Sequence, residues 1–168
     1  MKTRPMTDDA RLRAQLADFL DWHNAHAGFD HVVTGIPAKL RGATPKGFAH
    51  SIWQIVEHMR IAQHDILDFS TNAHYEEMKW PDDYWPPAAG PKSASAWTKS
   101  LASFRADRQS MQRLALNRRL DLLAKIPHGS GQTYLREILL VADHNAHHVA
   151  QIIDVRRALG IWKARRPH

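Results

Sequence analysis

Four segments of this chain repeat apolar residues at intervals of three and four, and no stretch of useful length alternates apolar with polar residues. That combination predicts an all-α fold. Each segment has one apolar stripe to bury, and a bundle of helices packed stripe to stripe is the architecture that buries them. The first helix is expected over about residues 7–26, with Thr7 or Asp8 as N-cap, Leu12, Leu16, Phe19, Leu20 and His23 on its stripe, and Gly28 marking its end. Residues 28–50 carry the breakers Gly35-Ile36-Pro37 and Gly42-Ala43-Thr44-Pro45, with room for helical extension around residues 30–41. The second helix opens on Ser51-Ile52-Trp53-Gln54, a capping box, and runs to about residue 71 with Ile55, Val56, Met59, Ala62, Ile66 and Phe69 on its stripe. The third is expected from Ser93 or Ser95 to Leu116. The fourth runs from about Gln132 to Leu159, and Gly160 followed by Ile161 signals a Schellman ending. A short hairpin before it, around Pro127–Gly131, is compatible with the turn residues there.

Between the second and third helices, residues 73–92 contain Trp80-Pro81-Asp82-Asp83-Tyr84-Trp85-Pro86-Pro87 and Gly90-Pro91. The prolines exclude a regular element, and the aromatic rings need something to pack on. Long ordered loops of this kind often serve function, so the segment is read as a lid or wall over one end of the bundle.

The fourth helix carries the run Asp143-His144-Asn145-Ala146-His147-His148. Each helical residue turns about 100°, so His144 and His148 project from nearly the same face one turn apart. That is how one helix offers two imidazoles to one metal ion. A pair of packed or surface histidines would show the same spacing. His147 competes as the partner of His144, but HxxxH aligns the rings more closely along the axis, so His148 is preferred and His147 is placed at a pocket edge or on the surface. The third ligand is expected to be His58, which lies beside Ile55, Ile61 and Ala62 on the second helix. His64 is rotated off that face. His23 on the first helix is the reserve, and His31, His50, His74, His128 and His168 read as loop or terminal residues. Three neutral imidazoles and one open position are the pattern of a catalytic metal site, with zinc or nickel as the expected ion. Glu57, Asp65 and Asp143 are the expected carboxylates behind the imidazoles, with Asp65, two turns from His58, placed to line the pocket rather than share the ion, and Gln151 continues the His144–His148 stripe.

Composition narrows the chemistry. The chain has 168 residues and no cysteine, so one domain over residues 1–168 is expected, with no disulfide, thiolate ligand or protein thiol nucleophile. Any thiol must arrive with a substrate. The net charge is +6, much of it late at Arg113, Arg118, Arg119, Arg156, Arg157, Lys163, Arg165 and Arg166. These residues are read as a solvated face and a basic tail, with no nucleic-acid partner, because no nucleic-acid-binding motif accompanies them. No apolar run approaches a bilayer span and the first residues lack an apolar leader, so a cytoplasmic protein with no membrane partner is expected.

The stretch from Pro45 through Ser51 to His58 resembles the turn, capping serine and helical histidine of DinB-like proteins, the superfamily that includes YfiT-like metal-dependent hydrolases. Thr133 through Ile152 is similar to that family's H-x-x-x-H-x-G-Q-I segment, with Ala150 where the family usually has glycine. The resemblance implies a four-helix bundle with one crossover connection, possession of a divalent ion held by His58, His144 and His148, and a homodimer. It also implies a metal-dependent enzyme: an S-transferase using a low-molecular-weight thiol such as bacillithiol, mycothiol or glutathione, or a hydrolase. A non-catalytic metal-binding stress-response protein is the alternative, and a basic nucleic-acid-binding module is a third.

Overall fold

In a computed structural model, residues 6–21 and 25–162 are described. They form five α-helices: α1 (Asp8–Phe19), α2 (Phe29–Val33), α3 (Ile52–Thr71), α4 (Ala94–Leu116) and α5 (Tyr134–Ala158), with a 3₁₀ turn at Ala38–Leu40. The described residues contain no strand, only one isolated antiparallel bridge, Lys125 to Thr133, where the short hairpin was expected.

The helix ends follow local chemistry. Thr7 accepts from the Ala10 N–H and caps α1. Ser51 accepts from the Gln54 N–H while the Gln54 side chain accepts from the Ser51 N–H, so the capping box of α3 is complete. Ser93 and Thr133 cap α4 and α5 in the same way. Gly160, at φ 70°, closes α5: its N–H donates to the Arg157 carbonyl and the Ile161 N–H to the Arg156 carbonyl, the two bonds of a Schellman motif.

The first helix is shorter than its periodicity suggests. It stops at Phe19, where Leu20 turns inward to 4% exposure and the Asp21 carboxylate takes a hydrogen bond from Arg108 on α4 at 2.6 Å. These tertiary contacts hold residues 20–21 in a turn, and Gly28 caps the start of α2 rather than the end of α1. His23, the reserve ligand, lies outside the described residues.

α3 packs along α4 on one side and along α5 on the other, and α1 packs on α4. The chain therefore leaves α1 and crosses over before α3 begins, placing α2 against α5 on the way. Two apolar cores result. One gathers Ile52, Val56, Met59, Phe104 and Ile152 with α2, and the other gathers Leu16, Leu20, Met111, Ile138 and Val141. Each such fully buried side chain contributes about 1.5–3 kcal/mol of burial free energy.

Arginines tie the ends. Arg13 donates to the carbonyls of Ala115, Asn117 and Leu120, which finish the C-terminus of α4. Arg156, expected on a solvated face, is 7% exposed; it donates to the Val32 carbonyl at the end of α2 and lies over the Trp162 ring. The basic residues after Trp162 lie outside the described residues. No helix among those described is long and apolar enough to cross a membrane.

Candidate metal centre

The first two turns of α3 do more than start a helix. The Ser51 hydroxyl, besides capping, donates to the Ala89 carbonyl, and the Gln54 amide donates to the Pro86 carbonyl. One turn further, His58 Nδ1 lies 3.0 Å from the Tyr84 carbonyl, and two turns beyond that Asp65 accepts from the hydroxyls of Tyr75 and Tyr84. One edge of α3 thus pins residues 75–89 along its length. Gly42 completes the anchorage from the crossover: a Cβ there would sit 2.8 Å from the Gly90 Cα, so only glycine admits this approach of two backbones.

Pinned in this way, the proline-rich segment forms a wall. Trp85 stacks on His58, with centroids 3.9 Å apart and planes within 2°, and also on His50 at 3.8 Å. The bond from Nδ1–H to the Tyr84 carbonyl fixes the neutral tautomer of His58 and leaves the Nε2 lone pair free, aimed at α5. There His144 Nε2 lies 3.0 Å from His58 Nε2. His148 faces both, and its Nδ1–H donates to Gln151 Oε1 at 2.7 Å, which frees its Nε2 in the same way. One nitrogen from each of His58, His144 and His148 falls within 4.8 Å of the other two.

These residues fit a metal ion. A tetrahedral ion with bonds of about 2.0–2.1 Å sets its ligand nitrogens roughly 3.3 Å apart, close to the separation of His58 and His144. The protonation states agree. Burial, followed by the mutual repulsion of the imidazoles, lowers His144 to about 3. Burial also lowers His148 to about 4, with the Gln151 hydrogen bond offsetting part of the effect, and it lowers His58 despite its bond to Tyr84. All three are neutral at pH 7, the form that ligates. The group lies in an open cleft of about 630 Å³, so one side of any bound ion faces the space where a small molecule can enter.

The carboxylates expected behind the imidazoles do not take that role. Glu57 pairs with Arg60 at 2.9 Å, Asp65 is held by the two tyrosines, and Asp143 is exposed. A backbone carbonyl and an amide, Tyr84 and Gln151, orient the rings in their place. His147 is exposed at the cleft edge, and its Nε2 meets the Gln151 amide nitrogen at 3.0 Å, so Gln151 bridges the two neighbouring histidines. His64 points away and pairs with Asp107. His50, Tyr84 and Trp85 were missed as site residues. The density of aromatic residues in the 73–92 segment hinted at Tyr84 and Trp85; nothing in the sequence singled out His50.

A family model described as the DinB superfamily matches residues 21–152, which include all three histidines. No curated protein and no solved structure matches the chain.

Proposed function

The chain belongs to the DinB superfamily, and from that premise we propose that it is a metal-dependent enzyme whose divalent ion, zinc or nickel, is held by His58, His144 and His148. The reaction is transfer of a low-molecular-weight thiol to an electrophile, with hydrolysis as its variant. One observation carries the reading: the converging imidazoles lie on an open cleft rather than in a closed core, which a purely structural ion would favour. When bound, the ion supplies Lewis acidity, lowering by several units the pKa of a thiol or water presented to its open side.

The chain's own residues supply the rest. Tyr84 and Gln151 hold the rings of His58 and His148 in the ligating tautomer, and Trp85 fixes the plane of His58. Trp85 and Trp80 wall the cleft and reduce access of bulk water to the reacting atoms. With no cysteine in the chain, the sulfur nucleophile comes from the cosubstrate.

The test is conjugation of a panel of small thiols to monochlorobimane by metal-loaded, chelated and His58→Ala protein. Turnover with the loaded protein alone is expected. Metal-dependent ester or amide hydrolysis without thiol transfer would select the hydrolytic variant. Silence in both assays, with a large loss of thermal stability on chelation, would select a structural ion.

A further inference from the structure

Among the described residues, Asp65 contributes the one carboxylate that lines the cleft over the three histidines, and no lysine or arginine lines it. Two neutral phenols hold this carboxylate: Tyr75 donates to Oδ1 at 3.0 Å and Tyr84 to Oδ2 at 2.6 Å. These bonds orient the group without bringing a positive charge. They occupy about two of its roughly four lone-pair sites, and the rest are left for a ligand. Around it the same cleft presents the rings of Trp80 and Tyr84, while Trp85 is stacked on His58 and His50; Trp80 is 67% exposed although it packs edge-on to Tyr84. A half-buried carboxylate with no cationic partner, flanked by aromatic faces, is the chemistry that recognises an ammonium group.

Distance gives the ligand's length. Asp65 follows His58 by seven residues, two turns of α3, which is about 10 Å along the helix axis. The neighbouring cleft shares Asp65, Ile66, Tyr84 and Leu140 with this one and includes the guanidinium of Arg136, the cation a carboxylate would seek. That arginine is already paired at 2.5 Å with buried Glu137, so an anionic ligand would have to displace its partner.

We propose that Asp65, with Trp80 and Tyr84, binds a primary ammonium group on the far end of the ligand whose other end meets the three histidines. The substrate class is an aminothiol or a comparably long amine, not a thiol ending in a carboxylate. The inference rests on the function proposed above.

The experiment uses cobalt-loaded protein and three thiols of equal length, 6-aminohexane-1-thiol, 6-mercaptohexan-1-ol and 6-mercaptohexanoic acid, titrated by thiolate-to-cobalt absorption. Binding of the alcohol tests thiol ligation alone. The amine should bind about tenfold tighter than the alcohol, with the acid weakest. Asp65→Asn, which keeps an acceptor for the tyrosines, should erase the preference, and Trp80→Ala should reduce it. The shorter 2-aminoethanethiol should show no advantage over 2-mercaptoethanol. Equal binding of the three long thiols, tighter binding of the acid, or a preference that survives Asp65→Asn would overturn the proposal while leaving thiol ligation standing. A second titration needs no metal: hexylammonium should quench tryptophan fluorescence saturably in the wild type and not in Asp65→Asn. Absence of that difference would overturn the proposal whatever the thiols do.

Discussion

Two polar clusters sit at different places in this bundle, and they are built on opposite principles. Where α1, α2 and α4 meet, Arg108 is buried and donates to Asp21 at 2.6 Å and Asp30 at 3.1 Å, while Arg105 reaches Asp30 from the side. There charges meet countercharges. Burial alone would raise Asp30, but the hydrogen bonds from Arg105 and Arg108 outweigh it and hold the carboxyl below its ordinary value. Between α3 and α5, three imidazoles face one another with no countercharge, and burial holds them neutral. A compensated cluster locks helices together. An uncompensated one, with one nitrogen of each ring within 4.8 Å of the others, could hold a cation.

The largest difference should appear when one member of each cluster is removed. His144→Ala should lower metal affinity at least about a thousandfold, because two imidazoles rarely hold an ion that three secure. Elemental analysis of folded, untagged protein checks this. Arg108→Ala should leave metal content unchanged but cost about 2 kcal/mol of stability, the value of hydrogen bonds to charged groups whose acidic partners stay solvated. For a chain of this size the melting temperature should fall by about 4–8 °C. Metal loss in Arg108→Ala would blur the distinction between the clusters.

Smaller effects sharpen it. Gln151→Ala should weaken metal binding about tenfold, the lower end of what partners behind a ligand contribute. His147→Ala should change it less than twofold, since that exposed ring touches the far side of Gln151 and the ring of His148 but is not one of the three that converge. Equal loss in His144→Ala and His147→Ala would show that the ligand pair is misassigned.

Acid should separate the clusters by pH. The folded histidines sit below their unfolded value of about 6.5, so below that pH the unfolded chain takes up protons that the folded one refuses. The stability of metal-free protein should therefore decline from about pH 6.5 down toward the folded values of about 4 and about 3 for His148 and His144. The contribution of Asp30, whose folded value is depressed, is present above its unfolded value of 3.8 and is lost only as pH falls through the lower folded value. A metal-free melting temperature that stays flat between pH 6.5 and 4.5 would contradict this order.

The same contrast shows what could be read in advance. The convergence of His58, His144 and His148 was legible because each sits at a fixed phase of a strongly periodic helix, where spacing translates directly into a shared face. The ends of α3 and α5 were legible because capping boxes and Schellman motifs are local chemistry. Trp85 was not, since a proline-rich segment has no period to give its side chains a direction, nor was His50, which precedes the Ser51 cap and lies outside the helical period. Asp65 lines the pocket as its place on the stripe suggested, but neither it nor Glu57 stands behind an imidazole, for a related reason. A helix stripe shows which way a carboxylate points, not whether a tyrosine from residues 75–84 or an arginine one turn away reaches it first. Arg156 looked like part of a charged surface, but its partner carbonyl belongs to α2, a helix too short to announce how it docks.

We propose that His58, His144 and His148 hold one divalent ion with an accessible side. The most direct measurement is titration of untagged, metal-free protein with Co²⁺, followed by visible absorption and then by addition of a small thiol. The account predicts saturation at one equivalent, an intense four-coordinate spectrum, and a new thiolate-to-cobalt band when the thiol is added. No saturable binding at stoichiometric concentrations, or a saturated spectrum that thiol leaves unchanged, would contradict it.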